Sequence, residues 1–206
     1  AHAAQADLTT LLDLVAVGTV ADLVPLDANN RALVAAGLRR LRAGQGCAGL
    51  RALVEVSRRD ARTLSAGDIG FSIAPRLNAA GRLEDMTLGI ECLLTDDPAQ
   101  AREIAALLDE INTSRRAVQA QMTDDAQAAL GRIELDGDVP VALCLFDADW
   151  HPGVVGLVAS KMKERLHRPV IAFAPSEPGS TTLRGSARSI PGYHVRDALA
   201  AVHAQL

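Results

Sequence analysis

The stretch TDDPAQAREIAALLDEINTSRRAVQAQMTDDAQAALGR, residues 95–132, divides the sequence into two halves of different character. Asp96 or Asp97 is placed to cap a helix whose first turn holds Pro98, which is a typical helix start. Apolar side chains then recur at helical spacing: Ile104, Leu107, Leu108, Ile111, Val118, Met122 and Leu130. A helix of about 32 residues spans roughly 48 Å. This length favours a helix that connects two domains over the alternative, a core helix of one domain.

The half before this helix is predicted to be one mostly α-helical domain, residues 1–94. Apolar residues recur at helical spacing over 8–21 and 29–44, and a shorter helix is predicted at 49–57. Ser65 and Asp68 have the spacing of a capping box for a further helix, which Pro75 is expected to end.

The half after the helix, residues 133–206, has the pattern of a small α/β domain. Its order is β-α-β-β-α, with strands predicted at 139–146, 168–175 and 181–189 and helices at 151–167 and 193–206. This order implies a parallel strand pair across the first helix. Ligands collect at the carboxyl ends of such strands, where this sequence has DADWHPG (147–153) and RGSARSIPG (184–192). The predicted fold class is therefore α/β, with the long helix between the two parts.

Composition limits the classes of function. The 206 residues are 49% hydrophobic and have a formal net charge of -4, as expected for a globular protein with a real core. A nucleic-acid partner would need a local basic cluster, because the overall charge attracts none. No apolar run reaches the roughly 20 residues of a membrane helix, so we expect no membrane association.

The cysteines and the start of the chain indicate its setting. Cys47, Cys92 and Cys144 are far apart and lack the spacing of a zinc site, which favours reduced thiols in a cytoplasmic protein. The first residues lack the basic region of a secretory signal. The sequence does not begin with Met, and we expect it to be part of a longer protein.

Asp22 lies in a small apolar segment, GTVADLVPL (18–26), with no Lys or Arg nearby. If buried, its carboxylate would need a hydrogen-bonding partner or a cation, and a hard divalent metal ion would serve. The residues alone favour the simpler alternative, a carboxylate at a helix end, because one aspartate makes no metal site.

The segment PRLNAAGR (75–82) places Arg76, Asn78 and Arg82 around small residues that allow a ligand to approach closely. Arginine binds phosphate through two parallel N–H donors. The alternative is a surface loop whose arginines pair with Glu84 and Asp85, and the residues leave both open.

Two segments of the second half carry polar groups suited to nucleic acid. LRGSARSIPGYH (183–194) combines basic and hydroxyl side chains with glycines, as in a phosphate cradle, although hairpin turns collect the same residues: Arg184, Ser186, Arg188 and Ser189. Trp150, beside His151 at a helix start, is suited to stacking on a base or to filling a domain seam.

Four segments together resemble the RecJ family of single-strand-specific 5′→3′ DNA exonucleases, in the DHH phosphoesterase superfamily. They cover essentially the whole chain: LLDLVAVGTVADLVPLDANNR (11–31), PRLNAAGR (75–82), WHPGVVGLVASKMKERLHRPVIAF (150–173) and GSARSIPGYHV (185–195). The resemblance implies that Asp22 binds a catalytic Mn²⁺ or Mg²⁺ ion, against the preference from the residues alone. It also implies that PRLNAAGR contacts phosphate or DNA, and that Ser186 and Arg188 contact DNA near its 5′ end within a DHH-associated domain.

The resemblance also shows a departure. In the family the other metal-binding motifs, a DxD pair, a later aspartate and the DHH triplet, precede the segment that matches residues 11–31, so the resemblance places them upstream of this sequence. We therefore expect two-metal hydrolysis, in DNA repair and recombination, from a full-length parent and not from this chain alone. Single-stranded DNA is the expected partner, with a single-strand-binding protein and a helicase as further candidates. Two alternatives stay open: a DHH phosphodiesterase of oligoribonucleotides or cyclic dinucleotides, and a RecJ-like DNA-binding scaffold without catalysis.

Overall fold

The computed structural model of the chain describes residues 7–134 and 140–203. The chain divides between Thr113 and Ser114 into two compact units, called here the N-terminal unit and the C-terminal unit. The boundary falls inside the long helix. None of the helices in the described ranges combines the length and the apolar character needed to cross a membrane.

The regular elements described for the N-terminal unit are helices. After a 3₁₀ turn at Leu8–Leu11, they are α1 (Leu12–Ala21), α2 (Ala28–Arg42), α3 (Ala48–Val56), a 3₁₀ turn (Ala61–Thr63), α4 (Ala66–Asp68), a π-helical segment (Ile69–Ile73), α5 (Ala74–Leu83) and α6 (Thr87–Leu94). The capping box predicted for Ser65 and Asp68 is confirmed, because each side chain accepts a hydrogen bond from the backbone N–H of the other residue.

The prediction that Pro75 ends a helix is wrong. Pro75 lies in the first turn of α5. Proline fits that turn because its missing N–H would have no partner inside the helix there. The π-helical segment Ile69–Ile73 runs directly into α5 and replaces the regular α-helical hydrogen bonds at the place where proline cannot donate one. The segment 75–82 is therefore a helix and not the surface loop considered as an alternative.

The core of the N-terminal unit is formed by fully buried apolar side chains, which include Leu50, Leu53, Ile69, Ile73 and Leu108. Helices α1 and α2 approach closely at Gly37, where an added Cβ would lie 2.1 Å from the carbonyl oxygen of Leu12. Asp13 is buried in the same region, and its Oδ2 accepts a hydrogen bond of 2.7 Å from the backbone N–H of Cys47. This carboxylate therefore fixes the start of α3 against α1.

The long helix, α7 (Pro98–Glu134), begins as predicted. Asp97 caps it, with its Oδ1 accepting a hydrogen bond of 2.8 Å from the N–H of Ala99. Ile104, Leu108 and Met122 are buried as the apolar pattern predicts, whereas Leu107 is 48% exposed. The side chain of Leu130 lies outside the described residues.

The C-terminal unit contains a mixed three-stranded sheet. Its elements after α7 are β1 (Leu143–Phe146), α8 (Val155–Leu166), β2 (Val170–Pro175), β3 (Leu183–Arg188) and α9 (Val195–Val202). The predicted parallel pair is confirmed, since β1 and β2 are parallel neighbours with α8 between them in the chain. Residue 139 and residues 204–206, which were predicted to belong to a strand and a helix, lie outside the described residues.

The third strand corrects one expectation about the sheet. β3 is antiparallel to β2, with Arg188 opposite Val170, the first residue of β2. The end of β3 therefore lies at the amino end of β2. Residues 147–153 follow the carboxyl end of the parallel pair as expected, but residues 189–192 do not.

Candidate nucleic-acid interface

Strand β3 directs three of the predicted contact residues to one face of the sheet. Arg184, Ser186 and Arg188 alternate along the strand, and alternate residues share a face. Ser186 and Arg188 contact α8 on that face. The strand predicted at 181–189 is confirmed over Leu183–Arg188.

The guanidinium group of Arg188 is held by three hydrogen bonds. Its Nε donates to Ser160 Oγ on α8 at 2.7 Å, and its Nη1 donates to Ser186 Oγ and to the carbonyl oxygen of Ala187, both at 2.8 Å. Ser160 Oγ in turn donates to the carbonyl oxygen of Gly156 at 3.0 Å. The side chain of Arg188 is therefore fixed before any ligand arrives.

Gly156 allows this close approach between α8 and β3. A Cβ at this position would lie 2.8 Å from Nη2 of Arg188 and 2.9 Å from Oγ of Ser186. These distances are shorter than van der Waals contact, so the first turn of α8 needs glycine here. We call Gly156, Ser160, Ser186 and Arg188 the Arg188 cluster.

The charge of the Arg188 cluster is not balanced by a carboxylate. Within residues 7–134 and 140–203, the ion pairs involve other groups. Arg188 is half-buried, and no side chain caps the adjacent start of α8 at Val154. A fixed cation beside a helix start that has no side-chain cap favours an anion such as phosphate.

Arg184 and Ser189 flank this cluster in different ways. Arg184 is exposed on β3. Ser189 is also exposed, but its Oγ accepts a hydrogen bond of 3.0 Å from the N–H of Val195 and so stabilises the start of α9.

Trp150 and His151 lie in the turn between β1 and α8. The indole of Trp150 is only 6% exposed, which agrees with the alternative of a buried filling residue and not with an open stacking platform. His151 Nδ1 accepts a hydrogen bond of 3.1 Å from the N–H of Gly153, which orients the imidazole.

Asp22 in the N-terminal unit is exposed, so the burial that would have required a partner is absent. It forms the carboxyl-terminal cap of α1 through its backbone, and Leu23 follows in the left-handed region with φ of 54°. Its carboxylate makes no ion pair within the described ranges. The side chain is therefore accessible to a ligand.

On helix α5, the predicted contact residues of PRLNAAGR do not all lie on the same face. Arg76 is turned inward, where its Nη2 lies 2.7 Å from Oδ1 of Asp109 on α7 and its Nη1 donates to the carbonyl oxygen of Ser72. Asn78 is exposed and Arg82 is half-buried, and their spacing of four residues places them on the same helix face.

Three residues that position these groups were missed by sequence reasoning. Gly156 and Ser160 are small residues four apart on a helix, a spacing that indicates close packing of another element. Asp109 gave no signal, because an acidic residue on a long helix is ordinarily exposed.

Comparisons with known proteins show which proteins this chain is similar to. Residues 136–206 match the DHHA1 domain. The single-stranded-DNA-specific exonuclease RecJ of Dickeya dadantii (strain 3937) is 55% identical over 197 residues, which cover 95% of this chain and 34% of that protein. The chain is homologous to a part of RecJ. It spans about a quarter to a third of the length of the curated relatives that it matches.

Solved RecJ structures share the fold. The crystal structure of RecJ in complex with Mg²⁺ from Thermus thermophilus matches with a TM-score of 0.79 and 36% identity, covering 96% of this chain and 29% of that one. A crystal structure of exonuclease RecJ bound to manganese matches with a TM-score of 0.76 and 34% identity, covering 96% of this chain and 47% of that one. The α/β fold class predicted from the sequence is thereby confirmed.

The described residues fit such a metal ion only in part. Asp22 offers one hard oxygen ligand of the kind that Mg²⁺ and Mn²⁺ prefer. Across residues 7–134 and 140–203, however, no group of three His, Cys, Asp or Glu side chains is placed to hold a metal ion. This part of the chain therefore does not form a metal site by itself.

Proposed function

We propose that this chain is the DNA-contacting part of a metal-dependent exonuclease that degrades single-stranded DNA from the 5′ end. The observation that carries the proposal is the Arg188 cluster. Hydrogen bonds hold its guanidinium beside a hydroxyl and a helix start, and no carboxylate in the described ranges forms an ion pair with it, within a region that matches the DHHA1 domain. The homology to RecJ supplies the substrate class.

In this proposal each unit has its own task. Arg188 and Ser186 bind a phosphate near the 5′ end, with Arg184 as an outer contact and Trp150 and His151 beside the start of α8. Asn78 and Arg82 bind the DNA backbone from α5, and Arg76 positions α5 by pairing with Asp109. We assign residues 1–94 to the DHH domain, 95–132 to the connecting helix and 133–206 to the DHH-associated domain.

Asp22 is the residue of this chain that we propose as a metal ligand. Two bound Mn²⁺ or Mg²⁺ ions supply an activated water and charge stabilisation for phosphodiester hydrolysis. Because the described residues contribute one carboxylate, we propose that the chain binds DNA without hydrolysing it.

Fluorescence anisotropy of a 3′-labelled DNA strand tests the proposal. The probes are the single strand with a 5′-phosphate, the same strand with a 5′-hydroxyl, and a blunt duplex, each at two salt concentrations. We expect the strongest binding for the phosphorylated single strand. Arg188→Ala is expected to weaken it about 10-fold to 100-fold, since a hydrogen bond to a charged group contributes about 1.5–3 kcal/mol.

Arg165→Ala is the matched control, because it removes the same charge from an exposed position in the last turn of α8. Its binding is expected to stay within about twofold of wild type. Thermal unfolding followed by circular dichroism checks that both variants are folded. Equal binding by wild type and a folded Arg188→Ala variant, or no preference over the duplex, contradicts the proposal.

A further inference from the structure

A second basic region lies next to the Arg188 cluster, towards the carboxyl end of α8. Ser160, Lys163 and His167 follow each other at intervals of three and four residues, so they share one face of the helix. Ser160 on this face holds Arg188. At about 1.5 Å per residue, Lys163 lies about 5 Å beyond Ser160 along the helix axis. A second cation is therefore within reach of a strand that is bound at Arg188.

Two clefts meet at Ile190, in the turn that follows β3. The first has a volume of about 300 Å³ and is lined by the end of α8 and by this turn: Lys163, Glu164, His167, Ile190 and Pro191. The second has a volume of about 260 Å³ and is lined by residues before β1, before β2 and in the turn: Val141, Ala142, Arg168, Pro169, Ile190 and Tyr193. We give the name Lys163 surface to four residues that these clefts bring together around Ile190: Lys163, His167, Arg168 and Tyr193.

The cations of the Lys163 surface are not balanced by carboxylates. Neither Lys163 nor Arg168 forms an ion pair within the described ranges. Nη1 of Arg168 donates to the carbonyl oxygen of His167 at 3.3 Å. Among the described residues that line the two clefts, Glu164 is the one acidic residue, and it is exposed. The surface therefore attracts anions, although the whole chain has a formal net charge of -4.

Tyr193 adds a feature that a simple anion site does not need. The residue is 44% exposed, and its backbone N–H donates to the carbonyl oxygen of Ile190 at 3.1 Å, which closes the turn. The helix dipole favours cations near the end of α8, but it does not account for an exposed aromatic ring beside them. Cations next to an exposed ring are typical of surfaces that bind single strands, because bases stack on the ring while the cations contact phosphates.

We propose that the Lys163 surface binds the nucleotides next to the phosphate that is held at Arg188. Lys163 and Arg168 contact backbone phosphates, and His167 donates a hydrogen bond from its ring N–H. Tyr193 stacks on a base, which makes the contact independent of base sequence. This inference deepens the proposed function and rests on it for the position of the first phosphate.

Ligands of different length separate the two sites. Thymidine 5′-phosphate reaches only the Arg188 cluster, and its binding is followed by ¹H–¹⁵N shifts of the labelled chain. A 3′-labelled thymidine dodecamer with a 5′-phosphate reaches both sites, and its binding is followed by anisotropy. We expect the dodecamer to bind wild type about 10-fold or more tightly than thymidine 5′-phosphate at low salt.

The double variant Lys163→Ala and Arg168→Ala tests the phosphate contacts. We expect it to weaken dodecamer binding about 10-fold and to keep the affinity for thymidine 5′-phosphate within about twofold of wild type. The slope of log affinity against log salt should be shallower by about 1.4, because each phosphate contact to a single strand contributes about 0.7. The double variant Lys161→Ala and Arg165→Ala is the matched control, since it removes the same two charges from exposed positions of α8 outside the clefts.

Tyr193→Ala tests the stacking contact, and Tyr193→Phe is its conservative control. We expect alanine to weaken dodecamer binding about 5-fold or more, whereas phenylalanine keeps the ring and should retain the affinity. Thermal unfolding followed by circular dichroism checks that every variant is folded.

Three results overturn the inference. Equal weakening of dodecamer binding by the two double variants would show general attraction by charge and no defined surface. Competition by a polyglutamate peptide of similar charge, as strong as by unlabelled dodecamer, would assign the surface to an acidic protein partner. Unchanged dodecamer binding in the Lys163 and Arg168 variant, with thymidine 5′-phosphate still bound, contradicts this inference alone. Failure of the proposed function appears instead as a lack of thymidine 5′-phosphate binding, or as binding that Arg188→Ala does not weaken.

Discussion

Replacing Gly156 tests whether the position of the Arg188 guanidinium matters for DNA binding, because it moves that group without removing any polar side chain. In Gly156→Ala the added Cβ displaces the Arg188 guanidinium, because it would lie 2.8 Å from Nη2. We expect single-stranded DNA binding to fall about as far as in Arg188→Ala, by about 10-fold or more, although every polar group is retained. Anisotropy with the 5′-phosphorylated strand measures this.

Gly18→Ala provides the control for Gly156→Ala. Gly18 is also helical, and nothing lies within 4 Å of an added Cβ there. Helix propensity predicts that alanine at this position raises the free energy of unfolding by up to about 1 kcal/mol and leaves DNA binding unchanged. Full DNA affinity in Gly156→Ala would show that the cluster tolerates displacement of Arg188.

Cys92 makes the stability of the N-terminal unit depend on pH in the alkaline range. Burial raises the pKa of its thiol to about 11, with the nearby Cys47 as a smaller cause, from an ordinary value near 9.0. The unfolded chain therefore loses this proton at lower pH than the folded chain. The buried, protonated thiol of Cys92 therefore makes its full contribution to stability below pH 9, and this contribution is lost as pH rises towards 11.

Urea unfolding of wild type and Cys92→Ala at pH 8 and pH 10.5 checks this effect. We expect wild type to lose more stability between the two pH values than the variant, which lacks the thiol. An identical loss in the two proteins would show that the thiol does not titrate in this range. Labelling with a thiol reagent gives a second measurement, since the exposed Cys144 should react first and Cys92 only on unfolding.

At the scale of elements, one ion pair holds α5 to the long helix. The side chain of Arg76 is 11% exposed and that of Asp109 is 35% exposed, with 2.7 Å between Nη2 and Oδ1. Replacing either residue leaves the other partly buried charge without its partner. We expect Arg76→Met and Asp109→Asn each to lower the free energy of unfolding by about 1–3 kcal/mol, less than for a fully buried pair.

The double variant decides whether the two residues act together. A coupling energy of about 1 kcal/mol or more in a double-mutant cycle is expected for residues in direct contact. Additive losses would mean that Arg76 stabilises α5 mainly through the carbonyl of Ser72.

The helices and strands that could be predicted are those marked by signals within a few residues of sequence. The cap at Asp97, the apolar spacing of α7 and the β-α-β-β-α order are local, and the structure confirms them. Two local signals were not used: proline is tolerated in the first turn of a helix, as at Pro75, and the short connection 176–182 between β2 and β3 favours an antiparallel pair. Among candidate site residues, Ser186 and Arg188 were selected by the combination of hydroxyl and basic side chains with glycines in 183–194, whereas the pairing of Arg76 with Asp109 had no signal in the sequence.

At the scale of the whole molecule, the described residues provide groups for the proposed DNA binding but few of the metal ligands needed for the proposed hydrolysis. They supply the Arg188 cluster, proposed above to bind phosphate, and one accessible carboxylate, Asp22. DNA binding should therefore be measurable on this chain, whereas hydrolysis requires ligands that the described ranges do not provide. Asp22 is best tested in a protein of full RecJ length.

A chimera provides that test, with this chain replacing the 197 residues of Dickeya dadantii RecJ that it matches. We expect Mn²⁺-dependent release of nucleotides from single-stranded DNA by the chimera, and a loss of about 100-fold or more in Asp22→Asn, because a neutral amide is a weaker ligand for a hard cation than a carboxylate. DNA affinity measured without divalent metal ions should be about the same in both, since the Asp22 carboxylate is not itself a phosphate contact. Asp27→Asn, which alters a helix cap five residues away, is the control and should retain hydrolysis. Full hydrolysis by Asp22→Asn would remove this residue from the metal site, whereas joint loss of binding and hydrolysis would indicate a structural role for it.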